Sequence, residues 1–324
     1  MKKVILVLTF LWALFGTNLV GGDSALTHVT FIPQWIPQAQ FAGYMMALEK
    51  GFYRDAGLDV TILRGGPSSP PIEALKSGSA TFCSVWLSTA VQQRSSSRLK
   101  LVNLAQIIQR SALMLIARKS SGINALNDLN GRRIGLWQGD FKIQPDALFQ
   151  LQHLNVIEVP MYSTVNLFLK RAVDVISAMW YNEYHTLLNS GFTQNELTTF
   201  FFSDYGLNFP EDGIYCLEET LKEKPKVCKS FVQASLQGWI YALNHQEETI
   251  NVVMRCAEAA HTGTNRAHQI WMLARMKDLI LPVGNKTILG ALDEGQYKLV
   301  TTTLLSLGLI DNPPLFEDFY RSQK

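Results

Sequence analysis

The sequence predicts an α/β protein of two lobes joined by a hinge, with a helical C-terminal part. Between residues 28 and 180, short apolar or period-two runs alternate with segments of helical period, a pattern that places helices on both faces of a parallel sheet. The alternation restarts once, after "LMLIARKSSG", and from about Asn208 the chain turns largely helical. With 47% hydrophobic residues, a chain of roughly 300 residues buries about three quarters of its unfolded surface and ordinarily divides into two compact units.

The elements follow in order. Lys2 and Lys3, an apolar stretch from Val4 to Gly16 and the small and polar residues of "TNLVGG" have the layout of a secretory signal peptide. The apolar run falls short of the about 20 residues that span a bilayer. Cleavage is expected near Gly22, and no cysteine lies there to carry a lipid, so the reading is a chain secreted into the periplasm. Residues 1–22 are therefore the leader, 23–115 the first part of lobe 1, 116–207 lobe 2, and 208–324 the return to lobe 1 with the C-terminal helices.

Lobe 1 opens with a strand ("HVTFI"), a helix ("QFAGYMMALEKGFYRDAG"), a strand ("LDVTIL"), a helix ("PPIEALKSG") and a strand ("ATFCSV"). Gly43 is expected to let the first helix pack closely on its sheet, and Gly57 to end that helix. Pro70 and Pro71 suit a first helical turn with Ser69 as its cap. Lobe 2 reads as a helix ("NALNDLNG"), a strand ("RRIGLW"), a helix ("PDALFQLQH"), a strand ("NVIEVP"), a helix ("TVNLFLKRA") and a strand ("VDVISAMW"). "KVCKSFVQASLQGWIYALNH" and "HQEETINVVMRCAEAA" are the clearest later amphipathic helices.

Charge and motif narrow the function classes. Removing residues 1–22 takes two lysines and no acid, which leaves 27 residues of each sign and no basic block, so a nucleic-acid partner is disfavoured. Cys83, Cys216, Cys228 and Cys256 show no C-x-x-C pair and no zinc spacing. Cys216 and Cys228 are candidates for a disulfide, with buried thiols the favoured reading. No G-x-S-x-G elbow, H-E-x-x-H, Walker A loop or G-x-G-x-x-G is present.

In an open α/β sheet, ligands settle beyond the carboxyl ends of the strands, where helix N-termini converge. The loops so placed are "PQWIPQAQ", "RGGPSSPP", "VWLSTA", "WQGDFKIQP" and "MWYNEYH". They carry Trp35, Trp86, Trp137 and Trp180, flat faces for a planar ligand. Gln34, Gln38 and Gln40 offer amides to the edge of a heterocycle. Gly65, Gly66, Ser68 and Ser69 resemble an anion cradle, and Ser88 lies in the loop after the third strand. Asp140, Lys142 and Gln144 fall between a strand and a helix. Glu183, next to Tyr181 and in the first turn of a helix, is placed to accept hydrogen bonds from an amino-substituted ring or to complement the helix dipole.

The order of elements, with "PQAQFAGYMMALEKGFYRDAGLDVTI", "GSATFCSV", "IGLWQGDFKIQ", "VDVISAMWYNE" and "FPEDGIYC", resembles the family that joins periplasmic thiamine-precursor binding proteins with thiamine pyrimidine synthases. The resemblance implies a type II periplasmic binding protein, two lobes clasping a ligand, and a transport role with an ABC permease and ATPase as partners. It implies that Trp35 lines the ring site, that Glu183 binds the amino-pyrimidine edge with Tyr181 close by, and that Gly139 to Gln144 matches the region where synthases hold a phosphate. It also implies where this chain departs. Synthase members carry a lysine for pyridoxal phosphate and, four residues on, a histidine consumed as substrate, just after the third strand; here that stretch reads "CSVWLSTA". Their cysteine cluster is reduced to Cys216. The expectation is a monomeric binding protein for a pyrimidine-like small molecule, with neither cofactor nor metal; the alternative is a synthase-like enzyme using pyridoxal phosphate.

Overall fold

Val29 and Phe31 alternate inward along the first strand, and that period-two pattern opens the core of the molecule. The computed structural model describes residues 25–97, 99–282 and 288–324. The expected leader, residues 1–22, lies outside the described residues.

Two five-stranded sheets carry the fold. The first contains β1 (Thr27–Ile32), β2 (Leu58–Ile62), β3 (Phe82–Trp86), β4 (Leu101–Gln106) and β10 (Asp212–Leu217), in the order β2-β1-β3-β10-β4. The second contains β5 (Leu113–Arg118), β6 (Arg133–Leu136), β7 (Ile157–Pro160), β8 (Val175–Met179) and β9 (Leu197–Phe201), in the order β7-β6-β8-β5-β9. The sheets are mixed, where alternation alone predicted parallel ones. β1 is parallel to β2 and β3, and β6 to β7 and β8, but β10 is antiparallel to both its neighbours, as is β5. The reason is topological. Strands followed by a returning helix all end at the gap between the sheets, whereas β5 and β10 are reached by crossing that gap and so start from it. Asp212, the first residue of β10, accordingly pairs with Trp86, the last of β3, and Leu113 of β5 pairs with Met179 of β8.

The two crossings run side by side. Ile108 N–H donates to Asp212 O (3.0 Å), Glu211 N–H to Ile108 O (3.2 Å), and the Gln106 amide to Glu211 O (2.9 Å). The carboxylate of Glu211, itself buried, accepts from Ala112 N–H.

Several local readings change. The helix expected from Gln40 to Gly57 is a 3-10 turn at Ala39–Phe41, a helix at Ala42–Glu49 and a short turn at Phe52–Asp55, broken where Gly51 takes φ +76°. "NALNDLNG" yields only the 3-10 turn Leu126–Leu129. Pro70, not Ser69, caps the Pro71–Lys76 helix, without a side-chain bond. All four cysteines are free thiols.

Gly43 allows a close approach to another helix, not to the sheet. A Cβ there would lie 2.2 Å from the indole of Trp239, and one at Gly238 would lie 2.2 Å from Gly43 O. The Pro225–Asn244 helix therefore crosses Ala42–Glu49 almost backbone to backbone, while its Phe231 stacks on Tyr53 and Phe82 (ring centroids 5.3 and 4.2 Å). Gly238→Ala is expected to lower unfolding free energy by about 2 kcal/mol or more, because the overpacked atom is backbone and cannot swing aside. Urea denaturation checks this, and a change within about 0.5 kcal/mol would contradict the packing.

Candidate functional site

Turns at the carboxyl ends of β1, β2, β6, β7 and β8, with the last residue of β3, converge on the gap between the sheets. The first is fixed by the chain's own side chains. After β1, Gln34 N–H donates to Ser84 Oγ (3.1 Å) while Gln34 Oε1 accepts from Trp86 N–H (2.9 Å). The Gln38 amide donates to Gln40 Oε1 (2.6 Å), the Gln40 amide to Asp212 Oδ2 (2.7 Å), and Ala39 N–H to Gln269 Oε1 (2.7 Å). Gln38 and Gln40 are buried in this network, which makes the loop a rigid wall.

Between the sheets lies a cavity of about 280 Å³. Lobe 1 contributes Trp35, Gln34, Gln38, Gln40, Pro67 and Trp86; lobe 2 contributes Trp137, Gln138, Phe141, Met161, Tyr162, Ser163 and the run Met179, Tyr181, Asn182, Glu183. Three indoles surround one phenyl ring. Phe141 meets Trp86 edge-on at 4.8 Å between centroids, Trp137 at 6.0 Å and Trp35 at 6.2 Å. Two of these contacts join the lobes, since Trp35 and Trp86 belong to the first and Phe141 to the second. Among the described residues that line the cavity there is no lysine, arginine or histidine.

Eight residues singled out in the sequence thus line one cavity: Gln34, Trp35, Gln38, Gln40, Trp86, Trp137, Tyr181 and Glu183. The others do not. Trp180 faces away, edge-on to Phe201 with the Arg275 guanidinium 4.7 Å from its ring, and its carbonyl accepts from Trp271 Nε1 (3.1 Å). It clasps the Arg266–Ile280 helix instead of a ligand. Gly65 makes no anion cradle: a Cβ there would fall 1.9 Å from Pro33 O and 2.7 Å from Trp35 O, so the glycine serves the approach of one loop to another. Ser68 is exposed in the turn closed by Ser69 N–H to Gly66 O (2.9 Å). Ser88 is buried in the first turn of Leu87–Ser96. Asp140 is half-buried off the lining, with its carboxyl pushed up by burial. Lys142 is held by Asp146 (3.1 Å) and Glu158 (2.8 Å), and the Gln144 amide by Ser111 and Leu207 O. Phe141 also lines the cavity, and its signal in the sequence is that of an aromatic flanked by Asp140 and Lys142 in a cleft loop.

Glu183 is the one carboxylate on the wall. Its Oε2 accepts from Met179 N–H (2.9 Å) and its Oε1 from the Asn182 amide (2.8 Å). Burial nevertheless pushes its carboxyl up to about 7, and the same cause takes Asp212, behind Gln40, to about 7. Asn182 Oδ1 in turn meets His268 Nε2 (2.8 Å), and His268 Nδ1 meets His185 Nδ1 (2.9 Å) across the lobes. Burial lowers His268 to about 4, with His185 adding to the shift.

Known proteins resemble this chain over most of its length. The family model described as NMT1/THI5 like matches residues 38–249. A formylaminopyrimidine-binding protein of Halalkalibacterium halodurans is 23% identical over 80% of this chain and 79% of its own. A 4-amino-5-hydroxymethyl-2-methylpyrimidine phosphate synthase of Legionella pneumophila is 23% identical over 74% of this chain and 77% of its own. Among solved structures, the periplasmic aliphatic sulphonate binding protein SsuA of Escherichia coli superposes with a TM-score of 0.68 at 13% identity, covering 89% of this chain and 94% of that one. The fold is that of periplasmic binding proteins.

The buried acid makes stability depend on pH. Glu183 keeps its proton in the folded chain up to about 7, against 4.5 ordinarily, so its stabilising share is complete below about 4.5 and is lost as pH rises through 7. His268 acts oppositely: its share is present above 6.5 and lost as pH falls towards about 4. Glu183→Gln removes the first effect alone. Relative to that variant, wild-type unfolding free energy is expected to fall by about 3 kcal/mol between about pH 4 and pH 8. Parallel profiles for the two proteins in denaturant titrations would contradict the burial of this carboxyl.

Proposed function

The chain belongs to the NMT1/THI5 like family, and from that premise we propose that it is the exported solute-binding subunit of an ABC transporter. In this reading it is a monomer that holds a flat, nitrogen-rich ring, a thiamine pyrimidine precursor, and hands it to a permease driven by an ATPase. The observation that carries the reading is the inter-lobe cavity with Trp35, Trp86, Trp137 and Phe141 around it and Glu183 on its wall. Indole and phenyl faces supply contact area to a planar guest. The oxygens of Glu183 each have a further lone pair beyond the hydrogen bond they already accept, and so take the exocyclic amine of an aminopyrimidine. Closing the lobes brings the Trp35 and Trp86 wall against the Phe141 and Trp137 wall, and a ligand that touches both favours the closed state by its differential contacts. The relative named for formylaminopyrimidine binding supports the same class of ligand.

The relative named as a synthase raises the alternative of chemistry on pyridoxal phosphate. The residues here do not fit that group. An imine needs an amine, yet no lysine is among the described lining residues, and Lys142 spends its ammonium on Asp146 and Glu158. The end of β3 and the turn that follows offer Trp86, Leu87 and Ser88 in place of a lysine and a histidine.

Isothermal calorimetry with 4-amino-5-hydroxymethyl-2-methylpyrimidine tests the proposal. Wild type is expected to bind one equivalent, with Glu183→Gln and Trp86→Ala each weakening binding by about 1–3 kcal/mol. Absence of binding, or affinity unchanged in both variants, contradicts it. The purified protein is expected to show no imine absorbance, and a lysine adduct fixed by borohydride would favour the enzyme instead.

A further inference from the structure

Anion sites in folds of this kind are built from the free backbone N–H groups of turns at strand ends, with or without a cation. Around this cavity three such donors are already taken. Met179 N–H is occupied by Glu183 Oε2, Trp86 N–H by Gln34 Oε1 and Ala39 N–H by Gln269 Oε1. At the first of these positions the occupant is itself a carboxyl group, seated where the oxygen of a bound anion would go and charged once pH rises past about 7. A second carboxylate, Asp212, stands one hydrogen bond behind Gln40, and its Oδ1 finds no partner. Among the described residues that line the cavity no cation compensates, and Lys142 of the lobe 2 loop is turned into an ion-pair triad outside the lining.

We propose that the cavity selects by charge: it takes a ring whose side arm is uncharged and rejects the same ring carrying a phosphate or sulfonate. The inference rests on the pyrimidine-binding reading above and specifies the ligand further. A phosphate placed here would leave water for a largely aromatic wall whose described lining residues include no cation and one carboxyl group, so no ion pair offsets its desolvation. The loop from Gly139 to Gln144, which the family resemblance marks as a phosphate region, supplies only Phe141 to the cavity. The fold shared with a sulphonate-binding protein therefore does not extend to shared ligand charge.

Calorimetry on the full folded chain with three probes tests this: 4-amino-5-hydroxymethyl-2-methylpyrimidine, its phosphate monoester and its neutral acetate ester. The phosphate is expected to bind at least about 100-fold more weakly than the alcohol, and the acetate ester within about tenfold of it. Phosphate affinity within tenfold of the alcohol would overturn the inference while leaving the transport reading intact. Acetate binding as weak as phosphate binding would also overturn it, since bulk and not charge would then discriminate. Failure of all three probes would instead remove the reading on which the inference rests. As a second arm, Gln138→Lys adds a cation at the cavity wall and is expected to narrow the gap between alcohol and phosphate by at least about tenfold; a gap unmoved by that cation counts against selection by charge.

Discussion

A buried acid ties together the two segments that cross between the lobes. Glu211 sits on the second crossing and accepts from Ala112 N–H on the first, while the amide of Gln106 ties Glu211 O to Ile108 O. These bonds fix where β5 and β10 begin, and with them the gap towards which every helix-returning strand points. Burial drives the Glu211 carboxyl well above its ordinary range, with Asp212 beside it adding to the shift. The buried acids Glu183, Glu211 and Asp212 gather at the crossing and the cavity. Such a distribution suits a molecule whose working surface is the gap and whose lobes only need to stay rigid.

The lobes touch a second time beside the cavity. The Arg266–Ile280 helix reaches Ala39 through Gln269 on one side and, on the other, Asn182 and His185 through His268 and Trp180 through Trp271. One helix thus contacts both cavity walls, which couples the position of Glu183 to the relative placement of the lobes.

Much of this was legible in the sequence, and the limits have physical causes. Alternation of periods revealed β1, β2, β3, β6, β7 and β8, because helix and strand burial have different repeats. It could not reveal that β5 and β10 run backwards, since an apolar run has no direction. Tryptophans at strand ends located the cavity, and three of four line it. Trp180 turned outward because its neighbour Tyr181 faces in, and a single step along a chain leaving a strand reverses the side. "GGPSS" looked like an anion cradle and proved a loop contact, since the same glycines serve either end. Phe141 was hidden by its polar neighbours, and the capped amides around the cavity belong to residues far apart in sequence, Ala39 with Gln269 above all.

On this reading a flat ring lies between the indoles and leaves unchanged. A crystal structure of the protein soaked or grown with 4-amino-5-hydroxymethyl-2-methylpyrimidine tests that most directly. An intact pyrimidine is expected in the inter-lobe cavity, its face against Trp35, Trp86 or Trp137 and its amino group at Glu183. A ring found outside the cavity, or one covalently attached to the chain, would contradict it.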